Sequence, residues 1–431
     1  MRNKIQFIIL LCTINGYAYD VLSLSKAYEL ALKNERHLRA LALKTNSGLE
    51  QVEQSRARLY PQLQGSLSWG RYGYQYPNNP QAINESYTNY SLSASQPIFH
   101  PELWRGVDEA KSRQKMAEYQ FQADTQQLGL DLAKAYFAVL YTQRNLELIA
   151  SQKVFYEEKY KQLDDMLKVG LSNKIDLLET KVQLDKATST WLGEKMKLEV
   201  AKMKLNHLTG ERIDYLETFE FESINTSKLL GSYTEWKSKI IKNPTLNVAI
   251  AAQESAMHNL AVREYEHYPK IDVSLTRKET YTQDQISHKY DNQAVAQMSI
   301  PIFQGGYTQS RVREGRLLLD SAREELDYYQ KETLFRFEEL WAQRELNIEN
   351  VKILKESQVS AELSLKAIEK ANKVGLKSVV DILEAKQKLY EIRRDLVDGM
   401  FQLINNRLGL LDITGELNVE NISAFENALK N

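Results

Sequence analysis

The 431-residue sequence contains little proline and glycine and only one cysteine. Its 8 prolines and 18 glycines amount to roughly half the share usual in globular proteins. No proline lies between residues 102 and 243 or after residue 301, so two long stretches lack the strongest helix breaker. The scarcity of breakers predicts long, uninterrupted helices.

Long apolar runs and a net charge of either sign are also missing. Beyond the N-terminal residues, no apolar segment approaches the roughly 18 residues of a membrane-spanning helix, which excludes a polytopic helical membrane protein. The 56 basic and 57 acidic residues nearly cancel, so no basic surface for nucleic acid is expected. The six histidines show no metal-ligand spacing, and we interpret them as scattered surface residues. No catalytic or phosphate-binding motif occurs, so we expect no enzyme activity, metal or cofactor.

Residues 1–18 have the pattern of a secretory signal peptide. Two basic residues precede the short apolar run 5–14, and Gly16 and Ala18 are small residues that predict cleavage after Ala18. A buried N-terminal helix is the alternative. The cysteine, Cys12, lies inside this leader, so the exported chain would contain neither a thiol nor a disulfide.

The rest of the sequence repeats itself. The segment Lys168-Val-Gly-Leu171 recurs 205 positions later as Lys373-Val-Gly-Leu376, and other landmarks recur in the same order. These are Tyr60-Pro61 with Tyr268-Pro269, Pro97-Ile-Phe99 with Pro301-Ile-Phe303, and Leu208-Thr-Gly210 with Ile413-Thr-Gly415. We therefore predict a first repeat over 19–210, a linking segment over 211–231, a second repeat over 232–415 and a C-terminal tail over 416–431.

Both repeats are predicted to contain the same elements. A helix leads into the Tyr-Pro pair, two strands with alternating apolar and polar residues follow, and a long helix, a tight turn and a shorter helix complete the repeat. The predicted ranges are 24–59, the strand pair 61–99, 102–168 and 173–208 in the first repeat, and 232–267, the strand pair 269–303, 307–372 and 378–410 in the second. Each long helix would measure about 100 Å. In the first long helix, from Leu128 to Leu167, the positions of a mainly apolar seam recur in steps of four and three, the period of coiled-coil packing.

The four strands are too few to close a barrel. Strands that are apolar on one face and serine-rich on the other suit an outer membrane barrel with a wet lumen, and such barrels have at least eight strands. Three copies would supply twelve. Aromatic residues near the strands, Trp69, Tyr72, Tyr74 and Tyr90, would then lie at the membrane interface. A tyrosine-rich soluble sheet is the alternative.

Several short motifs together resemble the TolC family of outer membrane efflux proteins. They are the two Val-Gly-Leu turns, Gln96-Pro-Ile-Phe99, Leu103-Trp-Arg105, Ala135-Tyr-Phe137, Leu208-Thr-Gly210 and Pro301-Ile-Phe-Gln-Gly-Gly306. The resemblance implies a mainly α homotrimer, with a 12-stranded transmembrane β-barrel continued by a 12-helix periplasmic α-barrel. Residues 211–231 and 416–431 would pack around the equator of the helical barrel.

The resemblance also implies a function and partners. The protein would be a Gram-negative outer membrane channel that passively exports drugs, toxins or type I secreted proteins. Its partners would be a periplasmic adaptor, an inner-membrane transporter of the RND, ABC or MFS class, and outer membrane lipid. A periplasmic coiled-coil adaptor or scaffold is the alternative function, although such a protein does not need the four strands.

Two tight turns are candidate docking sites for the adaptor. Glycine after a long helix, followed by Ser172 or Ser378, predicts a left-handed helix end and a new N-cap, but this does not explain the apolar residues beside it. The candidate residues are Val169, Gly170, Leu171, Val374, Gly375 and Leu376. In the resembled family these tips contact the adaptor, and an exposed apolar patch suits such a contact.

An acidic set follows each turn. Asp381 and Asp176 are three residues after an N-cap, where a carboxylate also suits the helix dipole, so capping alone could explain them. In a trimer, Asp381 and Glu384 would also form stacked carboxylate rings that attract cations. The resemblance assigns Asp381, Glu384, Lys377 and Asp176 to a constriction or gate at the periplasmic entrance.

The sequence departs from the family's gate pattern at three positions. Glu384 replaces an aspartate, Asn372 replaces a tyrosine, and Ile175 replaces a polar residue. Lys377 keeps the positive charge of the arginine that is usual at this position, but it cannot form the two parallel hydrogen bonds of a guanidinium group. We therefore expect the carboxylate ring to be retained and the locking network to be weaker.

Overall fold

The computed structural model describes residues 22–74, 83–170, 172–213, 215–217, 232–282 and 289–430. In this part the chain is mostly helical and has a small antiparallel sheet. The predicted leader 1–18 and most of the linking segment 211–231 lie outside the described residues.

The same order of elements occurs twice along the chain. The first half contains α1 (Leu24–Asn34), α2 (Arg36–Ala57), β1 (Gln62–Tyr74), β2 (Ile83–Phe99), α3 (Pro101–Lys168) and α4 (Lys174–Thr209). The second half contains α5 (Tyr233–Lys239), a short 3-10 helix (Ile240–Lys242), α6 (Pro244–Tyr265), β3 (Lys270–Thr282), β4 (Lys289–Ser299), α7 (Tyr307–Lys373), α8 (Val379–Ile413) and α9 (Val419–Lys430).

The helices predicted over 24–59 and 232–267 are each interrupted, so the prediction of one continuous helix was wrong. At the first break, the carboxylate of Glu35 accepts the backbone N–H of Leu38 and caps α2. At the second break, Asn243 accepts the N–H of Leu246 at 3.0 Å, and Pro244 begins α6. Proline suits the first position of a helix but cannot continue a preceding one, so Pro244 reinforces the second break. In both places a side chain caps the start of a new helix and so separates it from the helix before.

The four strands form one antiparallel sheet in the order β1-β2-β3-β4. Leu63, Ala94, Leu275 and Ala294 pair across all four strands in one row, while Ser66, Ser91, Lys278 and Asp291 form an alternate row. The sheet therefore has one mainly apolar face and one polar face, as the alternation predicts. Trp69, on the apolar face, is 80% exposed.

The long helices are flanked by shorter ones in matching positions. On one side α3 packs against α2 and α4, and on the other side it packs against α6 and α8, which in turn contact α7. The chain thus forms four columns, with α2 and α4 at one edge and α7 at the other. The predicted seam of α3 is confirmed where α3 meets its neighbours, since seven of its positions are buried: Leu132, Ala135, Val139, Thr142, Ile149, Tyr156 and Leu163.

The largest core lies around the middle of the columns. There α9 covers α1 and α3 with its buried residues Ile422, Phe425 and Leu429. The buried carboxylate of Glu426 accepts the N–H groups of Leu24 and Ser25 at 3.2 and 3.3 Å, so the C-terminal helix caps the first helix of the chain. Among the described helices, none carries an apolar stretch long enough to cross a bilayer.

Candidate functional site: the two hairpin tips and the sheet

Glycine makes both helix-to-helix turns possible. Gly170 has φ +75° and Gly375 has φ +78°, in the left-handed region that glycine adopts without strain. At the second turn, Gly375 N–H donates to the carbonyl of Asn372 and Leu376 N–H donates to that of Ala371, both at 2.9 Å. These are the two bonds of a Schellman motif, which ends a helix sharply. A Cβ atom at either glycine would meet no atom within 4 Å, so backbone geometry alone requires glycine here.

The apolar residues at the tips face outward. Val169 is 68% exposed at the first tip, and Val374 and Leu376 are 71% and 78% exposed at the second. Leu171 lies outside the described residues. Three apolar side chains that the turn itself does not need are therefore open to contact by another molecule.

A polar network joins the residues of the second tip. Ser378 and Asp381 form a capping box, in which the carboxylate of Asp381 accepts the Ser378 N–H at 2.8 Å and Ser378 Oγ accepts the Asp381 N–H at 3.1 Å. Lys377 Nζ lies 2.8 Å from Asp381 Oδ1. Asn372 Nδ2 donates to the carbonyl of Lys377 at 2.7 Å. The network thus connects the end of α7 to the start of α8.

The network keeps Asp381 charged. Hydrogen bonds from Lys377 and then from Ser378 lower the pKa of Asp381 to about 2. The hydrogen bond and charge of Asp381 raise the pKa of Lys377. Glu384, one helical turn further along α8, is exposed. Asp381 and Glu384 therefore stand within one helical turn of each other on α8, close to the tip.

The first tip has a simpler arrangement. Asn173 is the N-cap of α4 and accepts the Asp176 N–H at 2.8 Å. This confirms the N-cap predicted three residues before Asp176, whereas Ser172 is not the N-cap. An asparagine carbonyl reaches the third helical N–H in the same way as a serine hydroxyl. Ile175 is exposed, and Lys377 forms its ion pair with Asp381 of its own hairpin. Within the described chain, Asp176 and Lys377 are not brought together.

The four predicted interface aromatics do not all lie on the same face of the sheet. Trp69 pairs with Thr88, and Tyr90 pairs with Leu67, both in rows of the apolar face. Tyr72 and Tyr74 occupy the positions of β1 that alternate with Trp69, opposite Glu85 and Ile83, and their side chains lie outside the described part.

His100 was missed as a structural residue, and its interpretation as a scattered surface histidine was wrong. It is largely buried between β2 and α3, with Nδ1 3.1 Å from Glu102 Oε1 and Nε2 3.0 Å from Asp272 Oδ1. Lys270 Nζ lies 2.7 Å from the same oxygen of Glu102. This cluster connects β3 of the second half to the junction of β2 and α3. In the sequence, the only signal of a structural role for His100 was its position directly after a predicted strand. In the described part of the chain, no three His, Cys, Asp or Glu side chains are grouped so that they could hold a metal ion.

Known proteins share this architecture. The family model described as outer membrane efflux protein matches residues 27–211 and 237–416. The chain is similar to the outer membrane protein TolC of Escherichia coli, with 27% identity over 94% of this chain and 85% of the relative. It is also 24% identical to the proteases secretion protein PrtF of Dickeya chrysanthemi, over 98% and 94% of the two chains.

A solved structure supports the fold. The CmeC outer membrane channel of Campylobacter jejuni matches with a TM-score of 0.80 and 17% identity, over 94% of this chain and 89% of that one. The matches cover both halves of the chain, including the helices and strands that form the tips and the sheet. The protein is therefore a member of the outer membrane efflux protein family.

Proposed function

We propose that three copies of the chain form an outer membrane export channel, a 12-stranded β-barrel continued by a 12-helix periplasmic α-barrel. The observation that carries this proposal is the open sheet. Its strands β1 and β4 are edges, and its apolar face is exposed. An exposed edge with an apolar face invites pairing with further strands. Twelve strands close the sheet, turn its apolar face to lipid and its polar face to the lumen.

Exposed apolar rows on the outer helical columns support the same assembly. They contain Leu178, Val182, Leu192, Met196, Val200 and Met203 on α4, and Phe335, Leu346, Ile353 and Leu363 on α7. On α4, Leu178 and Val182 are four residues apart, and Met196, Val200 and Met203 follow Leu192 at steps of four, four and three, which is the period of helix packing. On α7, Leu346 and Ile353 are seven residues apart. Each chain would contribute two sequence repeats and four columns to the helical barrel.

The channel would export drugs, toxins or type I secreted proteins without an energy source of its own. Relatives that are an outer membrane protein and a protease secretion protein support this cargo class. The partners would be a periplasmic adaptor, an RND, ABC or MFS transporter of the inner membrane, and outer membrane lipid. Trp69 and Tyr90 are our proposed membrane-interface residues, because both lie on the apolar face.

The tips would dock the adaptor and narrow the entrance. Six tips in a trimer would present a ring of exposed Val169, Val374 and Leu376 side chains. Three copies of Asp381 and Glu384 would form the carboxylate rings. Lys377 and Asp176 would take part in gating. Because Lys377 is bound to Asp381 inside the second tip, that tip is held internally and a link from it to another tip is weaker.

A pair of neighbouring substitutions tests the proposal. Leu275→Lys puts a charge on the face that would meet lipid, four residues along the strand from the row of Tyr90, at a cost of up to about 2–4 kcal/mol near the bilayer centre, while Ser274→Lys puts the same charge in the lumen. We expect the wild-type chain and Ser274→Lys to yield a heat-modifiable trimer in the outer membrane fraction, and Leu275→Lys to yield much less. A monomer in the periplasmic fraction for the wild-type chain would favour the scaffold alternative instead.

A further inference from the structure

We propose that the apolar face of the sheet carries a binding site for a phosphorylated lipid of the outer leaflet, with the lipid phosphate at Arg277 and an acyl chain in the groove beside it. The site rests on the proposed function, because only a membrane barrel would turn this face of the sheet to lipid. An apolar groove, a polar cluster at one end of the groove and an aromatic rim beyond the cluster lie together on this face.

The groove has a volume of about 350 Å³. Its apolar walls come from all four strands and consist of Leu63, Leu92, Ala94, Leu275 and Ala294. The three leucines are each more than half exposed. Where the proposed barrel meets lipid, these side chains would therefore offer an acyl chain a recessed apolar contact instead of a flat wall.

Polar groups close one end of the groove. Arg277 and Asn292 lie opposite each other on β3 and β4, in the row next to that of Leu275, and both line the groove. Arg277 Nε and Nη2 donate to Glu279 Oε1 at 3.1 and 2.6 Å. A guanidinium has five N–H groups, so this pairing leaves three for another acceptor, and the amide of Asn292 adds two donors.

The polar end of the groove faces the loop ends of the strands. The helices α2 and α6 lead into β1 and β3, and α3 and α7 follow β2 and β4, so all four strands meet helices at the same end of the sheet. In the proposed channel the helices are periplasmic, and the loop ends face the exterior. Arg277 lies further along β3 from the helices than Leu275 does. A lipid in the groove would therefore point its headgroup outward, as lipids of the outer leaflet do.

An aromatic rim indicates the depth of the polar end. Tyr90 and Tyr290 flank Glu279 in the next row outward, and Tyr281 packs edge-on against Tyr90 with ring centroids 5.7 Å apart. Aromatic girdles lie at membrane interfaces, and Arg277 is two residues from the row of Glu279, which is about 5 Å in depth along a tilted strand. Its side chain is long enough to reach the headgroups from there.

A phosphate fits this end of the groove better than a neutral headgroup does. A charged side chain on a lipid-facing strand is costly at the bilayer centre and inexpensive near the interface, so the ion pair of Arg277 with Glu279 belongs among headgroups. Phosphate oxygens accept the parallel N–H groups of a guanidinium, and the amide of Asn292 can donate to the same phosphate. Free phosphate would use the same donors, but only a lipid would also fill the apolar groove.

Lipid binding by the purified trimer tests the site. The probe is lipid A, the phosphorylated glycolipid of the Gram-negative outer leaflet, and native mass spectrometry of the detergent-solubilised trimer counts the molecules bound. We expect up to one lipid A per chain. Dephosphorylated lipid A should bind about tenfold more weakly, because the hydrogen bonds to the charged guanidinium are lost. Inorganic phosphate alone should bind far more weakly than lipid A, and equal binding would assign the donors to a free anion and overturn the lipid site.

Two matched pairs of variants separate the headgroup contact from the groove. Arg277→Gln should weaken lipid A binding about tenfold, whereas Lys278→Gln, on the polar face, should leave it unchanged. Ala94→Trp should fill the groove and also weaken binding. Ala296→Trp, on the same face but outside the groove, should have no effect.

Failure of the site can be distinguished from failure of the channel. Light scattering and membrane fractionation show whether each variant still forms an outer membrane trimer. A trimer that binds lipid A and its dephosphorylated form equally, or that responds equally to Arg277→Gln and Lys278→Gln, overturns the lipid site and leaves the channel standing. A wild-type chain that forms no trimer overturns the proposed channel itself.

Discussion

The two hairpin tips have the same backbone turn but different polar contacts. Both use a left-handed glycine after a valine and expose that valine to solvent. The second tip adds the network of Asn372, Lys377, Ser378 and Asp381, whereas at the first tip Asn173 caps α4 and Lys168 binds the acids of its own helix. The repeat motif therefore determines the turn, and a few neighbouring residues determine how firmly the tip is held together.

This difference separates two roles. The apolar patch is common to both tips, so a partner that docks there should need both. The charged network belongs to the second tip, so effects on ion passage should be concentrated at that tip.

The largest expected effect concerns the shared apolar patch. Gly170→Asp or Gly375→Asp should abolish cross-linking to the periplasmic adaptor while the trimer persists, because each places a charge in the middle of exposed apolar residues with no steric clash. Gly170→Asn and Gly375→Asn are the matched controls, since asparagine tolerates the left-handed conformation and has no charge. Unchanged cross-linking in the aspartate variants would contradict docking at the tips, and a loss at only one tip would show that the two patches are not equivalent.

A smaller effect is expected from the acidic positions. Asp381→Ala combined with Glu384→Ala should reduce the cation selectivity of the channel in planar bilayers, because two carboxylate rings at the entrance are lost. The counterpart variant, Asp176→Ala with Glu179→Ala, should change the reversal potential less. Equal reversal potentials in the wild type and the first variant would count decisively against a ring at the second tip.

The smallest effect is a shift in pH dependence. The pKa of Asp381 is lowered to about 2, so the charge and its contribution to the tip are complete above about pH 4 and are lost as the pH falls through about 2. In a Glu384→Gln background, cation selectivity should therefore survive down to about pH 3. Lys377→Met removes the main cause of the low pKa and should move the loss of selectivity upward by about one pH unit. Lys174→Met at the first tip is the control, and an equal shift there would remove the special role of the Lys377–Asp381 pair.

Much of the local structure could be predicted because it depends on neighbouring residues. The absence of proline over 102–243 predicted α3, and the four-and-three spacing identified seven of the residues that are buried along it. Glycine at 170 and 375 predicted the left-handed turns. The break at Glu35 was missed because a glutamate is a weak sequence signal for an N-cap, and only the bond to Leu38 shows it.

Contacts between distant segments could not be predicted. His100 and Asp272 are 172 positions apart, and they meet because β2 and β3 are neighbours in the sheet. Glu426 caps α1 from the far end of the chain. The sequence around Glu426 does not indicate which helix its carboxylate will cap.

The sequence by itself determined where helices, strands and turns form, since helix breakers, residue period and left-handed glycines act over a few residues. It also determined that the same order of helices and strands occurs twice. Only the tertiary structure decided which helices are neighbours and which strand edges and apolar rows stay open. Those outcomes depend on which distant segments pack together, and that choice is made by the whole chain when the columns bury their apolar seams.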